Sequence, residues 1–254
     1  MRGFIVGSLL AVTLGSTLPA WAADPSPEEI IRKFAAKEAE FRKARENYTY
    51  RQSLKFEELD PDGRVVQGKW ELTSDIIFGP NKQRVEKVVY APMMTLHLAI
   101  TPQDEQDLRS VQPFVLTTED IGKYNIQYEG KQNADEIPCF VFNVRPKTMV
   151  KGERYFEGKI WVDDRDFQIV KTFGKGVGLL KKNEDNQFPK FETYRQQIDG
   201  KYWFPVYTHA DDVLQFKDSS QRIRMVVKYQ NYKRFGAETT VTFGDEVPET
   251  PKKP

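Results

Sequence analysis

The sequence predicts an α+β fold: a curved antiparallel sheet forming an incomplete, unclosed β-barrel, with an N-terminal helix and middle helices covering its open, concave side. Three observations predict it. One amphipathic helix stands at the front of the chain, some ten segments of period-two alternation follow, and only one stretch near the middle breaks that alternation. Two helical segments are too few to cover ten strands laid flat. A sheet curled round its helices solves that problem and can leave an apolar hollow, though the sequence does not say whether the interior is hollow or filled.

The front helix is expected from Pro25 to about Asn47. Ser26 followed by Glu29 makes a capping box, Pro27 takes the first helical position, and Glu28 and Glu29 suit the positive helix end. Ile30, Phe34 and Phe41 fall near one face, with Ile31, Ala35 and Ala39 beside them, and Lys37 and Glu38 interrupt the stripe. From Tyr48 the period becomes two. YTYRQSLKFEELD and RVVQGKWELTSDIIFG flank the turn Asp60-Pro61-Asp62-Gly63, and KQRVEKVVYA follows. The middle stretch APMMTLHLAI is apolar and Met-rich, and Thr101-Pro102 with Asp104 can cap a short helix to about Val111. Strands then resume as YNIQYEGK, IPCFVFNV, RYFEGKIWV, FQIVKTFG, KFETYRQQI, KYWFPVYT and QRIRMVVKYQNYKRF. In the last of these Ile223, Met225, Val227 and Tyr229 alternate with Arg222, Arg224, Lys228 and Gln230, so one face is covered and one is wet.

Residues 1–22 read as a cleavable signal peptide. Arg2 precedes the apolar run GFIVGSLLAVTLGSTLP, and Ala20-Trp21-Ala22 fits cleavage after Ala22. The run is short, and rich in Gly, Ser and Thr, for a membrane span, so a retained N-terminal anchor is the lesser alternative. Residues 23–245 are expected to form a single domain and 246–254, EVPETPKKP, a disordered tail. The chain has 38 basic and 37 acidic side chains, and Arg2 is the only charge in the first 22 residues, so the exported part is balanced. Such a chain, by its overall charge, offers no argument for a nucleic-acid partner or for an acidic membrane surface. The single Cys139 cannot form an internal disulfide and reads as a small buried hydrophobe.

Chemistry is sparse. Asp163, Asp164 and Asp166 crowd between two apolar runs and read as a hairpin turn rather than a metal site. The string Asp60-Pro61-Asp62-Gly63 lacks the Gly and Glu spacing of a calcium loop. His209 precedes Asp211 and Asp212 and is expected at a strand end beside a turn; His97 sits among Met and Leu and is expected to be partly buried. Gly174-Lys175-Gly176-Val177-Gly178 lacks the phosphate-loop spacing and reads as a flexible loop. No Gly-x-Ser-x-Gly elbow is present. The expectation is a non-enzyme with neither metal nor cofactor.

Three stretches carry a resemblance: FVFNVRPK (Phe140 to Lys147), GKIWVDDRDFQIVKTFGK (Gly158 to Lys175) and KFETYRQQIDGKYWFPVYT (Lys190 to Thr208). With the order of signal peptide, capped helix, three strands, helical middle and second meander, they resemble the LolA-like lipoprotein carriers of the periplasm. RseB-type sensors and LppX-type lipid carriers are relatives. The resemblance implies an unclosed barrel that takes acylated ligands into its hollow. Arg51 and Arg84 both lie on early strands, and the sequence does not choose between them for the carriers' functional arginine.

The expected function is therefore a periplasmic binding or carrier protein for lipid or the acyl chains of lipoproteins, with a place in outer-membrane lipoprotein sorting. The expected partners are lipid, acylated lipoprotein and an envelope membrane protein, and the chain is expected to be a monomer. The candidate acyl-chain residues are Phe34, Met93, Met94, Leu96, Phe140, Phe142, Phe156, Ile160, Val162 and Met225, although for any one aromatic a place in the sheet core is the plainer reading. The alternatives are a periplasmic sensor or scaffold that binds a protein through the same fold, and a secreted hydrolase.

Overall fold

The computed structural model describes residues 25–79, 81–179 and 189–235. The expected signal peptide and C-terminal tail lie outside them. Helix α1 spans Pro27–Arg45, and Ser26 Oγ accepts a hydrogen bond from Glu29 N at 3.2 Å, the forward half of the expected capping box. Its buried residues are Ile30, Phe34, Ala35, Glu38 and Phe41. Glu38, which breaks the stripe in the sequence, is thus on the covered face.

The strands are β1 (Tyr48–Leu59), β2 (Val66–Phe78), β3 (Arg84–Tyr90), β4 (Tyr124–Ala134), β5 (Ile137–Pro146), β6 (Tyr155–Asp163), β7 (Ile169–Val177), β8 (Phe191–Ile198), β9 (Tyr202–Gln215) and β10 (Ser220–Arg234). They form one antiparallel sheet in the order β3-β2-β1-β10-β9-β8-β7-β6-β5-β4. Pairing of β10 with β1, in a register that sets Met225 opposite Phe56, fuses the two meanders. β3 and β4 are free edges, so the sheet does not close.

Its curvature follows from contact. Strands lie about 4.8 Å apart, so β2 and β4 in a flat sheet would stand roughly 40 Å from each other. Yet side chains of β1, β2 and β4 to β10 meet α1 in one apolar cluster, with Phe34 against Phe142 at 5.6 Å between ring centroids. The sheet wraps α1 and the segment that follows β3. The opposite face is not uniformly wet, because Cys139, Val141, Trp161 and Val170 form a smaller buried cluster there. Burial pushes the Cys139 thiol up to about 12, in keeping with a packing role.

Three local expectations need correction. The stretch Gly174 to Gly178 is no loose loop, since β7 runs through Val177. Gly158 and Gly174 face each other across β6 and β7, and a Cβ at Gly176 would overlap the Asp107 carboxylate and the Arg154 guanidinium. These glycines serve close approach. β9 continues to Gln215, so His209 lies within a strand, its ring 6.2 Å from that of Tyr194 and 5.5 Å from that of Tyr207. His97 is exposed rather than partly buried, with 78% of its side chain accessible.

The turns follow the sequence reading. Asp60 Oδ1 accepts from Arg64 N (2.7 Å) and Val65 N (3.0 Å), and Gly63 takes the positive φ of 73°. Asp163 Oδ1 accepts from Arg165 N (2.7 Å) and Asp166 N (3.2 Å), while Asp166 accepts from Gln168 N (3.0 Å) and Trp203 Nε1 (2.9 Å). These carboxylates satisfy backbone and indole donors. Among the described residues no group of three metal-ligating side chains converges.

A candidate ligand-binding cavity under an anchored segment

After β3 the chain runs on beside β2 and then turns across the covered face. Thr95 N donates to Lys69 O (2.9 Å), and Lys69 N returns a bond to Thr95 Oγ1 (3.0 Å). The buried Glu58 then accepts from His97 N (2.9 Å) and Leu98 N (2.6 Å), with His97 Nδ1 2.8 Å from Glu58 Oε2. Gly68 leaves room for this crossing, because a Cβ there would meet the Glu58 carboxylate and the Thr95 carbonyl.

Helix α2 (Pro102–Gln106) follows, opened by the expected capping box in which Thr101 and Asp104 bond reciprocally. A π-helical turn continues it over Asp107–Val111. Here Arg154 Nε and Nη2 grip Asp107 Oδ1 and Oδ2 at 2.8 and 2.7 Å, and both side chains are buried. Further on, Thr193 Oγ1 donates to Gln112 O (3.0 Å). Arg195 Nη2 donates to Phe114 O while its Nη1 holds Glu38 Oε1 at 2.9 Å. The segment 95–114 is thus tied at its entry, its middle and its exit by buried polar groups.

Between this segment and the sheet lies an apolar cavity of about 220 Å³. Leu54 and Phe56 of β1, Trp70 of β2, Phe191 of β8, Leu214 of β9 and Met225 of β10 form its floor, with Leu98, Ile100 and Leu108 as its roof. For scale, an engineered apolar cavity of about 150 Å³ accepts benzene. The carboxylates on its wall are engaged, Asp104 by Thr101 and Asp107 by Arg154; Gln112 Nε2 lies 3.4 Å from Met225 Sδ, and Gln112 Oε1 is buried without a partner. A smaller hollow of about 170 Å³ shares Leu54, Trp70 and Leu108 with it and opens among Arg84, Glu86 and Arg109. Arg84 donates there to Glu86 Oε2 (2.8 Å) and Gln52 Oε1 (3.2 Å). Arg51 makes a bidentate pair with Asp75 instead and lines neither hollow.

The ten candidate residues distribute unevenly around these hollows. Met225 lines the main cavity. Phe34, Phe140, Phe142, Phe156, Ile160 and Val162 are buried in the adjoining part of the same cluster, where α1 fills the curve of β5 and β6. Leu96 packs partly against that cluster, while Met93 and Met94 are exposed, Met93 at 88%. Alternation reveals the covered face but not where α1 fills it. Leu54, Trp70, Phe191 and Leu214 escaped the sequence reading because any inward strand residue carries the same signal.

No protein-family model and no curated protein matches the chain. It is similar to several solved structures. One is a DUF1329 family protein from Desulfovibrio piger, at 10% identity and a TM-score of 0.39, over 85% of this chain and 96% of that one. Another is a LolA superfamily protein from Nitrosomonas europaea, at 11% identity and 0.33, over 79% and 94%. A third, from Vibrio parahaemolyticus, is described as an outer membrane lipoprotein-sorting protein domain, at 12% identity and 0.37, over 80% and 93%. The last two bear names that match the resemblance in the sequence.

Proposed function

We propose that this is an exported, non-enzymatic binding protein of the periplasm, cleaved after Ala22 and folded as one domain over residues 23–245. It holds a lipid, or an acyl chain of a lipoprotein, between the sheet and the segment 95–114. The observation that carries the reading is the cavity. Its floor and roof are apolar, its wall carboxylates are already engaged, and its roof is a tethered segment rather than a strand. A chain of CH₂ groups needs nothing more, since each buried CH₂ contributes about 0.8 kcal/mol.

Met225 touches the ligand at the cavity floor, and the wall of Phe140, Phe142, Phe156, Ile160 and Val162 backs it where α1 packs through Phe34. Leu96, Met93 and Met94 belong to the approach into the roof segment. Any part in lipoprotein sorting would follow from which acylated partner delivers the chain. Native mass spectrometry of the chain purified from an envelope extract, without detergent, tests the reading. Mass additions that solvent extraction identifies as acyl lipids are expected. Apo protein that also takes up no fluorescent fatty acid contradicts it.

A further inference from the structure

The strand register divides the turns between two ends of the sheet. One end holds the β1–β2 turn (60–65), the run 91–97, the β5–β6 loop (147–154) and the β9–β10 turn (216–219). The other holds the turns at 79–83, 135–136, 164–168 and 199–201. The cavity lies toward the first end, where Pro189, Phe216 and Leu98 belong to its lining.

Large exposed apolar side chains follow the same division. Val65, Val66, Met93, Met94, Met149 and Val150 stand exposed on three separate segments of the cavity end or beside them. Among the described residues, the far-end turns carry no exposed large apolar side chain; most of the others lie along β3 or on the strands β7 and β9. The charge bias reverses too. In these segments Arg64, Lys147, Lys151, Arg154 and Lys217 outnumber Asp60, Asp62, Glu153 and Asp218 by one at the cavity end, and Lys190 stands beside them, whereas Asp135, Glu136, Asp164, Asp166 and Asp199 outnumber Lys82, Arg165 and Lys201 at the far end.

We infer that the cavity end docks on the surface of an anionic phospholipid bilayer. Single apolar side chains on several short segments, spaced by Lys and Arg, suit shallow entry among headgroups, where lysine stems lie along the apolar layer and their ammonium groups meet phosphate. The acidic far end faces away. Both sides of the cavity take part, for Thr95 bonds to β2 beside Val66, and Arg154 of the β5–β6 loop grips Asp107 on the cavity wall. The docking rests on the proposed function for its purpose, since an acyl chain then passes between bilayer and cavity without crossing water, but it stands on separate residues.

Flotation of the purified chain with vesicles of phosphatidylcholine, with and without phosphatidylglycerol, tests it. Binding is expected to the anionic vesicles, weakened about tenfold by Met93→Asp with Met94→Asp, and likewise by Val65→Asp with Val66→Asp. Lys201→Asp at the far end is expected to leave it unchanged. Comparing variants cancels any contribution of the apolar residues 1–22, and a retained melting temperature excludes misfolding of these exposed sites. No binding to either vesicle, equal binding by wild type and both variants, or association of copies through Met93 and Met94 in place of vesicle binding overturns the inference. Uptake of monomeric fluorescent fatty acid in vesicle-free buffer separates the two readings: its failure strikes the cavity alone, and failure of flotation strikes the docking alone.

Discussion

Glu38 and Arg195 come from positions 157 apart and meet in the interior, with 0% and 1% of their side chains accessible. Arg195 lies under Phe41, 5.2 Å from the ring centroid, and also donates to the Ile169 and Phe114 carbonyls. One guanidinium thus ties α1, β7, β8 and the exit of the roof segment. The net worth of such a pair against an apolar replacement is small, whereas leaving one charge alone in the core is severe. Glu38→Ala or Arg195→Ala is expected to lose about 3–5 kcal/mol in urea unfolding, and Glu38→Leu with Arg195→Met to recover part of that loss. Simple addition of the two single losses would contradict this account. In the sequence Glu38 reads as a flaw in an apolar stripe, because its partner lies on a distant strand and no local pattern signals a buried ion pair.

The roof segment carries the same lesson at the scale of an element. Helix α2 was legible from Thr101, Pro102 and Asp104, and the sheet strands from their alternation, since each depends on neighbours within a few positions. Its tethers were not, because Asp107–Arg154 and Glu58–His97 span 47 and 39 positions. Glycine spacing holds the one trace of them. Gly176 is required where Asp107 and Arg154 press on β7, and it reads in isolation as a flexible loop. Gly176→Ala is expected to cost about 1–3 kcal/mol and to raise hydrogen exchange over residues 102–112. Gly122→Ala, where an added Cβ meets nothing within 4 Å, is the control and is expected to leave exchange unchanged. Unaltered exchange in the Gly176 variant would mean that the ion pair does not hold the segment.

At the scale of the whole molecule, one curved sheet does two jobs with one face. Where β4 to β7 curve round α1, aromatic rings fill the space, as in Phe114 stacked on Phe156 at 4.5 Å and Phe34 against Phe142. Where β1, β2 and β8 to β10 pass beneath the roof segment, the filling stops and the cavity remains. Composition and alternation foretold the covered face and its unclosed sheet; which half stays hollow depends on where α1 ends and the roof begins, a tertiary fact. Leu54 stands at the centre, buried on β1 and shared by both hollows. Titration of a fluorescent fatty acid into wild type and Leu54→Trp is therefore the most direct measurement. Filling the cavity with an indole is expected to weaken uptake by about tenfold or more while the melting temperature holds or rises, because the added ring occupies empty space. Uptake equal to wild type in a folded Leu54→Trp protein would contradict the claim that the ligand lies in this cavity.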